Sequence, residues 1–334
     1  MPEGKQPLVS PDWLAQHIDD PDLVILDVRI APEGGQTVFE NGHIPGAVFT
    51  DYLKDGWRAA KGTAVGMLPA ESALSELFGG LGLKPDHHIV VVPTGANTSD
   101  FSAAVRVYWT LRIAGHERLS LLDGGFAGWR ADPGRPLETG PGETRTGTRY
   151  PVRIDAAMRA DVEQVEKAVA EGSATLLDSR GLGFFESREK SPQAMRAGRL
   201  PGSKHLDQAQ AYDAARNGLK PLGELARVYA AVPKGEVVSF CNTGQAAATN
   251  WFVMAELSAA RTYVSTTVRC RSGRRTRSAR WRRGRHDEEP PLLCHGRACP
   301  GHPDSKCGAL PPEITGTSPV MTTLKPRAPL RDRV

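Results

Sequence analysis

The chain has 334 residues, of which 40% are hydrophobic and 24% are charged. These proportions are typical of a globular protein, and the length predicts about two domains. No apolar run is long enough to span a membrane, and the first residues do not resemble a secretory leader. We therefore expect a cytoplasmic protein with no membrane partner.

Charge and cysteine content both change near residue 260. Residues 1–260 carry 26 Lys and Arg against 32 Asp and Glu, whereas residues 261–334 carry 16 against 6. Cys241 is the only cysteine of the first part, and the other four cysteines all lie beyond residue 260. A single cysteine in the body of an intracellular enzyme favours chemistry or core packing over a disulfide framework.

The first 260 residues contain one pattern twice, with a spacing of about 150 residues. Each copy has an apolar strand that ends in Asp-x-Arg, then a glycine- and proline-containing turn, then a second apolar strand that leads into a loop and a helix. Strands that alternate with helices predict an α/β fold, with a mainly parallel sheet flanked by helices in each copy. The matched segments are 23–29 and 175–180, 42–47 and 198–203, and 89–92 and 237–240.

This pattern predicts four regions. We call residues 7–131 the first repeat and residues 150–260 the second repeat, each predicted to be one domain. The segment 132–149 is rich in Gly, Pro, Thr and charged residues and is the predicted linker. Residues 261–334 are predicted to be an irregular, disordered tail that is basic and rich in Pro, Gly and Arg.

Cys241 is the candidate nucleophile. It follows the apolar run 237–240, a predicted buried strand, and it precedes the small-residue loop 242–246 and a helix predicted to begin at Ala247. Strand, loop and helix start together direct backbone N–H groups at one sulfur. Such an arrangement stabilises a thiolate and would equally stabilise a persulfide. The alternative is a buried cysteine with a structural role only.

Three motifs resemble the two-domain rhodanese family, the thiosulfate and 3-mercaptopyruvate sulfurtransferases. They are GHIPGA at 42–47, RLPGS at 199–203 and CNTG at 241–244, and the resemblance covers roughly residues 7–260. In this family the second domain usually carries the catalytic cysteine. The resemblance therefore implies that the first repeat, which has Pro93-Thr94-Gly95-Ala96 at its loop, is not catalytic.

The resemblance also implies a mechanism and its site. Cys241 would accept sulfur from a small anionic donor as a persulfide and pass it to cyanide or a thiol, with no cofactor and no metal. The family's proposed catalytic triad is matched only loosely, by His43 and Asp27. His43 is better explained as a turn residue, and Asp27 as a strand-end residue that bonds nearby backbone. The residues expected to bind substrate are Asn242, Thr243, Gly244, Gln245, Ala246, Arg180 and Arg188.

The donor is left open by the sequence. Relatives often place an arginine in a Gly-Arg-Phe segment that anchors the anionic end of the donor, but this chain has Gly183-Phe184-Phe185. The sequence therefore does not choose between thiosulfate, 3-mercaptopyruvate and another sulfane donor.

Two other classes are disfavoured. A Cys-x5-Arg phosphatase needs an arginine six positions after the cysteine, where this chain has Ala247, and the next arginine is Arg261. The basic segment 261–285 suggests a nucleic-acid arm, and the late cysteines suggest a zinc site. The cysteine spacing does not match paired CxxC ligands, so we predict no metal and no nucleic-acid partner.

The tail instead suggests a shifted reading frame that begins near residue 258. Synonymous codons for the residues after 260, read two bases later, can encode DVRLYDGSMSEWSADPKRPV, which parallels RLSLLDGGFAGWRADPGRPL of the first repeat. The alternative is a genuine basic tail. A shift would remove a strand and a helix from the second repeat, whose place the β-branched segment 262–268 could partly fill. The chain could then be an inactive remnant of a sulfurtransferase.

Overall fold

The computed structural model describes residues 6–30, 35–62, 64–145, 147, 149–192, 194, 196–258 and 263–265. The strands are β1 (Leu8–Val9), β2 (Leu23–Arg29), β3 (Val48–Asp51), β4 (Ala59–Lys61), β5 (Ala64–Met67), β6 (His88–Pro93), β7 (Leu119–Leu122), β8 (Thr175–Asp178), β9 (Lys204–His205), β10 (Tyr212–Asp213), β11 (Gly218–Leu219), β12 (Val237–Phe240) and β13 (Tyr263–Ser265). The helices are α1 (Pro11–His17), α2 (Gly35–Glu40), α3 (Glu71–Gly80), α4 (Thr98–Ile113), α5 (Gly125–Arg130), α6 (Val162–Glu171), α7 (Leu182–Phe185), α8 (Leu222–Tyr229) and α9 (Gln245–Trp251), which continues as a π-helical turn, Phe252–Leu257.

The first repeat forms a five-stranded sheet in the order β1-β7-β6-β2-β3, and all neighbouring strands are parallel. Strand β2 is buried along its whole length, as expected for a parallel sheet covered on both faces. Its alternate residues enter two different cores: Val24 and Leu26 pack in one hydrophobic cluster, and Leu23 and Ile25 pack in the other. The sheet is therefore the middle layer between two apolar layers.

The second repeat forms a four-stranded parallel sheet in the order β13-β12-β8-β9. Strands β12, β8 and β9 correspond to β6, β2 and β3 of the first sheet, so the predicted duplication and the α/β class are confirmed. The bounds of the domains and of the linker stay a prediction.

Strand β13 occupies the position next to β12 that β7 occupies next to β6. Tyr263–Ser265 lies within segment 262–268, which is expected from the sequence to partly fill this place, so the tail is not irregular throughout: this short segment pairs with the open side of β12. The other residues of the tail lie outside the described residues, as does the predicted change of reading frame.

Helix α4 joins the two sheets. Nearly every residue of this helix is buried, and Tyr108 packs edge-to-face on Phe252 with ring centroids 4.9 Å apart. One hydrophobic cluster extends from β2 through α4 to Trp251 and Phe252. Residues of the first repeat are thereby packed directly against the helix that follows Cys241. No helix within the described residues has the length and apolarity needed to cross a bilayer.

Candidate active site

Cys241 lies directly after β12, at the carboxyl end of a central strand of the second sheet. Only 5% of the residue is exposed, and its Sγ accepts a hydrogen bond from the backbone N–H of Gly244 at 3.0 Å. Gly244 has a φ of 82°, in the left-handed region where glycine carries no steric penalty. This conformation turns the loop back on the sulfur and starts α9 at Gln245, two residues earlier than the sequence predicted.

The equivalent loop of the first repeat shows what this geometry binds. Asp27 pairs with Val92 as Asp178 pairs with Phe240, so Pro93 occupies the position of Cys241. In the first repeat the backbone N–H groups after this position donate to the carboxylate of a residue on α4, Asp100. Those of Thr94, Gly95 and Ala96 lie 3.1, 2.7 and 3.2 Å from its oxygens.

Asp100 therefore acts as a built-in anion in the first repeat. Burial raises the pKa of this carboxyl, and the hydrogen bonds from the loop oppose that rise. In the second repeat the helix begins Gln245-Ala246-Ala247, without an acidic side chain in its first turn. In the first repeat the N–H groups of this loop are bonded to the Asp100 carboxylate, whereas in the second repeat the corresponding loop follows a cysteine.

The other predicted loop residues contact both repeats. The Oδ1 of Asn242 accepts a hydrogen bond from Arg180 Nη1 at 3.3 Å. Thr243 lies so close to Gly66 on β5 that a Cβ added there would be 2.8 Å from the Thr243 carbonyl oxygen. The side chain of Gln245 donates to the Ser99 carbonyl oxygen at 2.8 Å. Ala246 is half-buried in the first turn of α9. The first repeat thus forms one wall of the cysteine loop.

Arg180 serves chiefly to hold the site together. Its guanidinium donates to both oxygens of Asp178, at 2.8 and 2.6 Å, and to the Gly198 carbonyl oxygen at 2.9 Å. The first repeat contains the same arrangement in Arg29 and Asp27. Because Asp178 forms a buried ion pair with this guanidinium, little of its positive charge is left to bind a donor.

Arg188 is placed differently from the loop residues. Its side chain is 56% exposed and forms an ion pair with Glu186 at 2.6 Å. This ion pair is local and joins Arg188 to a neighbouring surface carboxylate rather than to the Cys241 loop.

The two residues at the loosely matched triad positions bond within the first repeat and to Glu138 of the adjoining linker, with which the His43 backbone exchanges two hydrogen bonds of 3.0 Å. His43 stacks on Phe39 with ring centroids 3.8 Å apart, and its Nδ1 is 2.9 Å from the Phe39 carbonyl oxygen. Asp27 is engaged by Arg29. These contacts agree with the interpretation of His43 as a turn residue.

A buried polar network beneath α9 was not predicted. The Nδ2 of Asn250 donates to Ser179 Oγ at 3.0 Å and to the Leu206 carbonyl oxygen at 2.8 Å, and its Oδ1 accepts from the Tyr229 hydroxyl at 2.6 Å. The hydroxyl oxygens of Ser239 and Ser179 are 2.8 Å apart, within hydrogen-bond distance. The network fixes α9, and hence the cysteine loop, to the second sheet. The available signal was an asparagine directly before the apolar run that begins at Trp251.

A second unpredicted group belongs to the first repeat. Arg106, in the middle of α4, is 1% exposed, and its Nε and Nη2 have no hydrogen-bond partner among the residues that the structure describes. The Tyr52 hydroxyl and Arg58 Nε are likewise buried without a partner, and the Arg58 guanidinium lies 5.1 Å from the centre of the Tyr52 ring. We call these three residues the Arg106 cluster.

The Arg106 cluster interacts electrostatically with Cys241. Burial lowers the pKa of Arg106, and negative charge on Tyr52 and Cys241 opposes that change. Burial also raises the pKa of Tyr52; the two arginines lower it and the cysteine raises it further. No pattern in the sequence indicated this cluster, because an arginine on a helix is ordinarily a surface residue.

A duplicated parallel sheet, with a buried cysteine at the carboxyl end of a central strand and a loop that directs an amide at its sulfur, defines an α/β protein of the rhodanese type. Residues 10–132 match the family described as "Rhodanese-like domain". The 3-mercaptopyruvate sulfurtransferase of Escherichia coli (strain K12) is 33% identical over 204 residues, which cover 59% of this chain and 70% of that protein. The chain belongs to the rhodanese family of sulfurtransferases.

The names of the other relatives refer to both sulfur donors. The thiosulfate sulfurtransferase of Cricetulus griseus is 30% identical over 208 residues, covering 60% of this chain and 68% of that protein. The crystal structure of SseA, a 3-mercaptopyruvate sulfurtransferase from Escherichia coli, superimposes with a TM-score of 0.67 at 28% identity, covering 79% of this chain and 99% of SseA. The predicted family and enzyme class are therefore confirmed, whereas the donor is not decided by these similarities.

Proposed function

We propose that this protein transfers a sulfane sulfur from thiosulfate or 3-mercaptopyruvate to cyanide or a thiol through a persulfide on Cys241. The observation that carries the proposal is the hydrogen bond from the Gly244 N–H to a buried Sγ, in a loop whose counterpart binds a carboxylate. A backbone donor of this kind favours the anionic forms of sulfur, both the thiolate and the persulfide.

The first half-reaction forms one S–S bond on Cys241 and breaks the bond that holds the transferable sulfur in the donor. With thiosulfate, the Cys241 thiolate attacks the outer sulfur, and sulfite leaves with the electron pair of the broken S–S bond. With 3-mercaptopyruvate, the C–S bond breaks instead, and the enolate of pyruvate takes the electron pair and then a proton. Either donor leaves a persulfide on Cys241.

In the second half-reaction the acceptor attacks the outer sulfur of the persulfide. With cyanide, a C–S bond forms, thiocyanate departs, and the electron pair of the S–S bond returns to the Cys241 thiolate. Because the Gly244 N–H faces the sulfur in the resting protein, it is available to the anion that is present before and after each transfer.

The test is to detect the persulfide and to assign it to one cysteine. The purified protein is incubated with thiosulfate or with 3-mercaptopyruvate, and peptide mass spectrometry then looks for the addition of one sulfur atom. We expect the added sulfur on Cys241 and thiocyanate formation after cyanide is supplied. Cys241→Ser should lower the rate by more than about 10³-fold, the scale seen when a nucleophile is removed.

Cys270→Ser is the matched control, because it removes a cysteine outside the described residues that the proposal does not use, and it should retain the wild-type rate. A folded wild-type protein that gains no sulfur from either donor would overturn the proposal. That result would instead support an inactive remnant of a sulfurtransferase.

A further inference from the structure

We propose that the Arg106 cluster binds the anionic end of the sulfur donor, so that the repeat without a cysteine supplies the donor-binding group. The ligand is an oxyanion: the sulfonate-like end of thiosulfate or the carboxylate of 3-mercaptopyruvate. This inference rests on the proposed function and assigns it a binding residue in the first repeat.

The first argument is the state of Arg106 itself. A guanidinium stays protonated in proteins, and burying its charge is costly unless the charge is paired and its N–H groups are bonded. Within the described part of the chain, Arg106 Nε and Nη2 have no hydrogen-bond partner, and no carboxylate forms an ion pair with this side chain. The Trp109 ring, with its centroid 4.2 Å from the guanidinium carbon, offsets part of the charge but accepts neither N–H, so the fold keeps a buried cation with two unused donors.

The second argument is that the unused donors of the cluster occur together. The Tyr52 hydroxyl and Arg58 Nε are also buried and unpartnered, and both side chains act electrostatically on Arg106. Burial raises the pKa of Tyr52, so its hydroxyl keeps the proton that it would donate to a ligand. Three side chains thus offer N–H or O–H donors, and two of them are cationic.

The third argument is the position of the cluster beside the cysteine loop. Arg58 directly precedes β4, and the hairpin of β4 and β5 carries Gly66 against Thr243. Arg106 lies one helical turn beyond Ser102, whose hydroxyl is 3.1 Å from that of Thr249 on α9. Cys241 is among the groups whose charge acts on both Arg106 and Tyr52.

The fourth argument is that the other candidate arginines are already neutralised. Arg180 is held by Asp178, and Arg188 is paired with Glu186 on the surface. Attack of a thiolate on a dianion such as thiosulfate brings negative charges together, so a cation near the reacting sulfur is needed. A guanidinium also matches the geometry of a carboxylate or sulfonate by donating two parallel N–H bonds.

This placement gives Arg106 a role both in binding the donor and in the departure of the first product. By holding the oxyanion end of the donor, the guanidinium would point the transferable sulfur at Cys241. When thiosulfate is the donor, the negative charge that grows on the departing sulfite would remain on the group that Arg106 holds. Loss of Arg106 should therefore raise KM for the donor and slow persulfide formation.

The test compares two arginines of the same helix. Arg106→Gln removes the cation of the cluster, whereas Arg112→Gln removes an arginine that has its own partner, Glu256, at 3.5 Å. We expect Arg106→Gln to raise KM for thiosulfate or 3-mercaptopyruvate by about 10- to 100-fold, the scale of a lost hydrogen bond to a charged group. Arg112→Gln should keep the wild-type KM.

Binding is measured separately from the chemistry in a Cys241→Ser background. Thiosulfate should raise Tm in this background because it binds the folded protein, and adding Arg106→Gln should abolish the shift. Tyr52→Phe, which keeps the ring and removes one donor, should weaken binding by about 3- to 10-fold. This variant keeps the test valid if Arg106→Gln fails to fold.

The two proposals fail in different ways. If the wild-type protein forms no persulfide but Arg106→Gln still abolishes the thiosulfate-dependent shift, the cluster is an anion site and the sulfurtransferase proposal is overturned. If the wild-type protein forms the persulfide while Arg106→Gln and Tyr52→Phe both retain its KM and its Tm shift, the Arg106 cluster does not bind the donor.

Discussion

Acidification should destabilise the first repeat through His116, a residue that lies between α4 and β7 and is 1% exposed. Its Nδ1 is 2.6 Å from the Tyr150 hydroxyl oxygen and its Nε2 is 3.1 Å from the His87 carbonyl oxygen. A neutral ring satisfies both contacts, because Nε2–H donates to the carbonyl and Nδ1 accepts from the hydroxyl. Burial lowers the pKa of His116 to about 4.

The sign of the effect follows from where the proton binds. Between pH 6.5 and 4 the unfolded chain binds a proton at this histidine and the folded protein does not, so the free energy of unfolding falls as the pH falls. Stability from this source is complete above the unfolded pKa of about 6.5. With a folded pKa of about 4, lowering the pH from 7 to 5 costs about 2 kcal/mol.

Urea unfolding of the wild type and of His116→Gln at pH 7 and pH 5 isolates this contribution. The variant has no titrating ring at this position, so its stability should fall by about 2 kcal/mol less than that of the wild type over the same interval. NMR titration of the wild-type ring should give a midpoint near 4. Equal losses in the two proteins, or a midpoint near 6.5, would refute the argument.

Two further substitutions test how the cysteine loop is held. Gly66→Ala places a Cβ 2.8 Å from the Thr243 carbonyl oxygen, whereas Gly56→Ala shares the positive φ and meets nothing within 4 Å. We expect the first to lower kcat/KM by about 100-fold through displacement of the loop and the second to leave it unchanged; equal effects would rule out the steric explanation. Asn250→Leu removes the partner of the Tyr229 hydroxyl and should cost about 2–4 kcal/mol in urea unfolding, part of which Tyr229→Phe should recover. Failure of the second change to restore any stability would mean that the hydroxyl is not left unsatisfied.

The strands were readable from the sequence because the sheets are covered on both faces. The predicted segment 23–29 is β2 and the predicted segment 237–240 is β12, with the same bounds. Continuous apolar runs are what a doubly covered parallel strand requires, so local sequence is sufficient to locate them. The predicted strand at 175–180 ends earlier, at Asp178, where the chain turns and Arg180 folds back on the carboxylate.

The candidate site was only partly readable. Cys241 and its loop stood out because a strand, a small-residue loop and a helix follow one another along the chain. Asn250 and Arg106 did not, because a polar residue on a helix reveals its partners only when the helix is packed. From the sequence alone, Asp100 is an acidic residue in the first turn of a helix. Only the fold shows that its carboxylate accepts hydrogen bonds from the loop of the first repeat.

The amino-acid sequence by itself determined the duplicated α/β pattern, the family and the position of the reactive sulfur, since each depends on neighbouring residues or on motifs. Tertiary structure decided that α4 carries a carboxylate into the loop of the first repeat and buries an arginine in its middle, and which residues of segment 262–268 pair with β12. These relations join residues far apart in the chain. Their energies come from burial and desolvation, which do not exist until the two repeats have packed together.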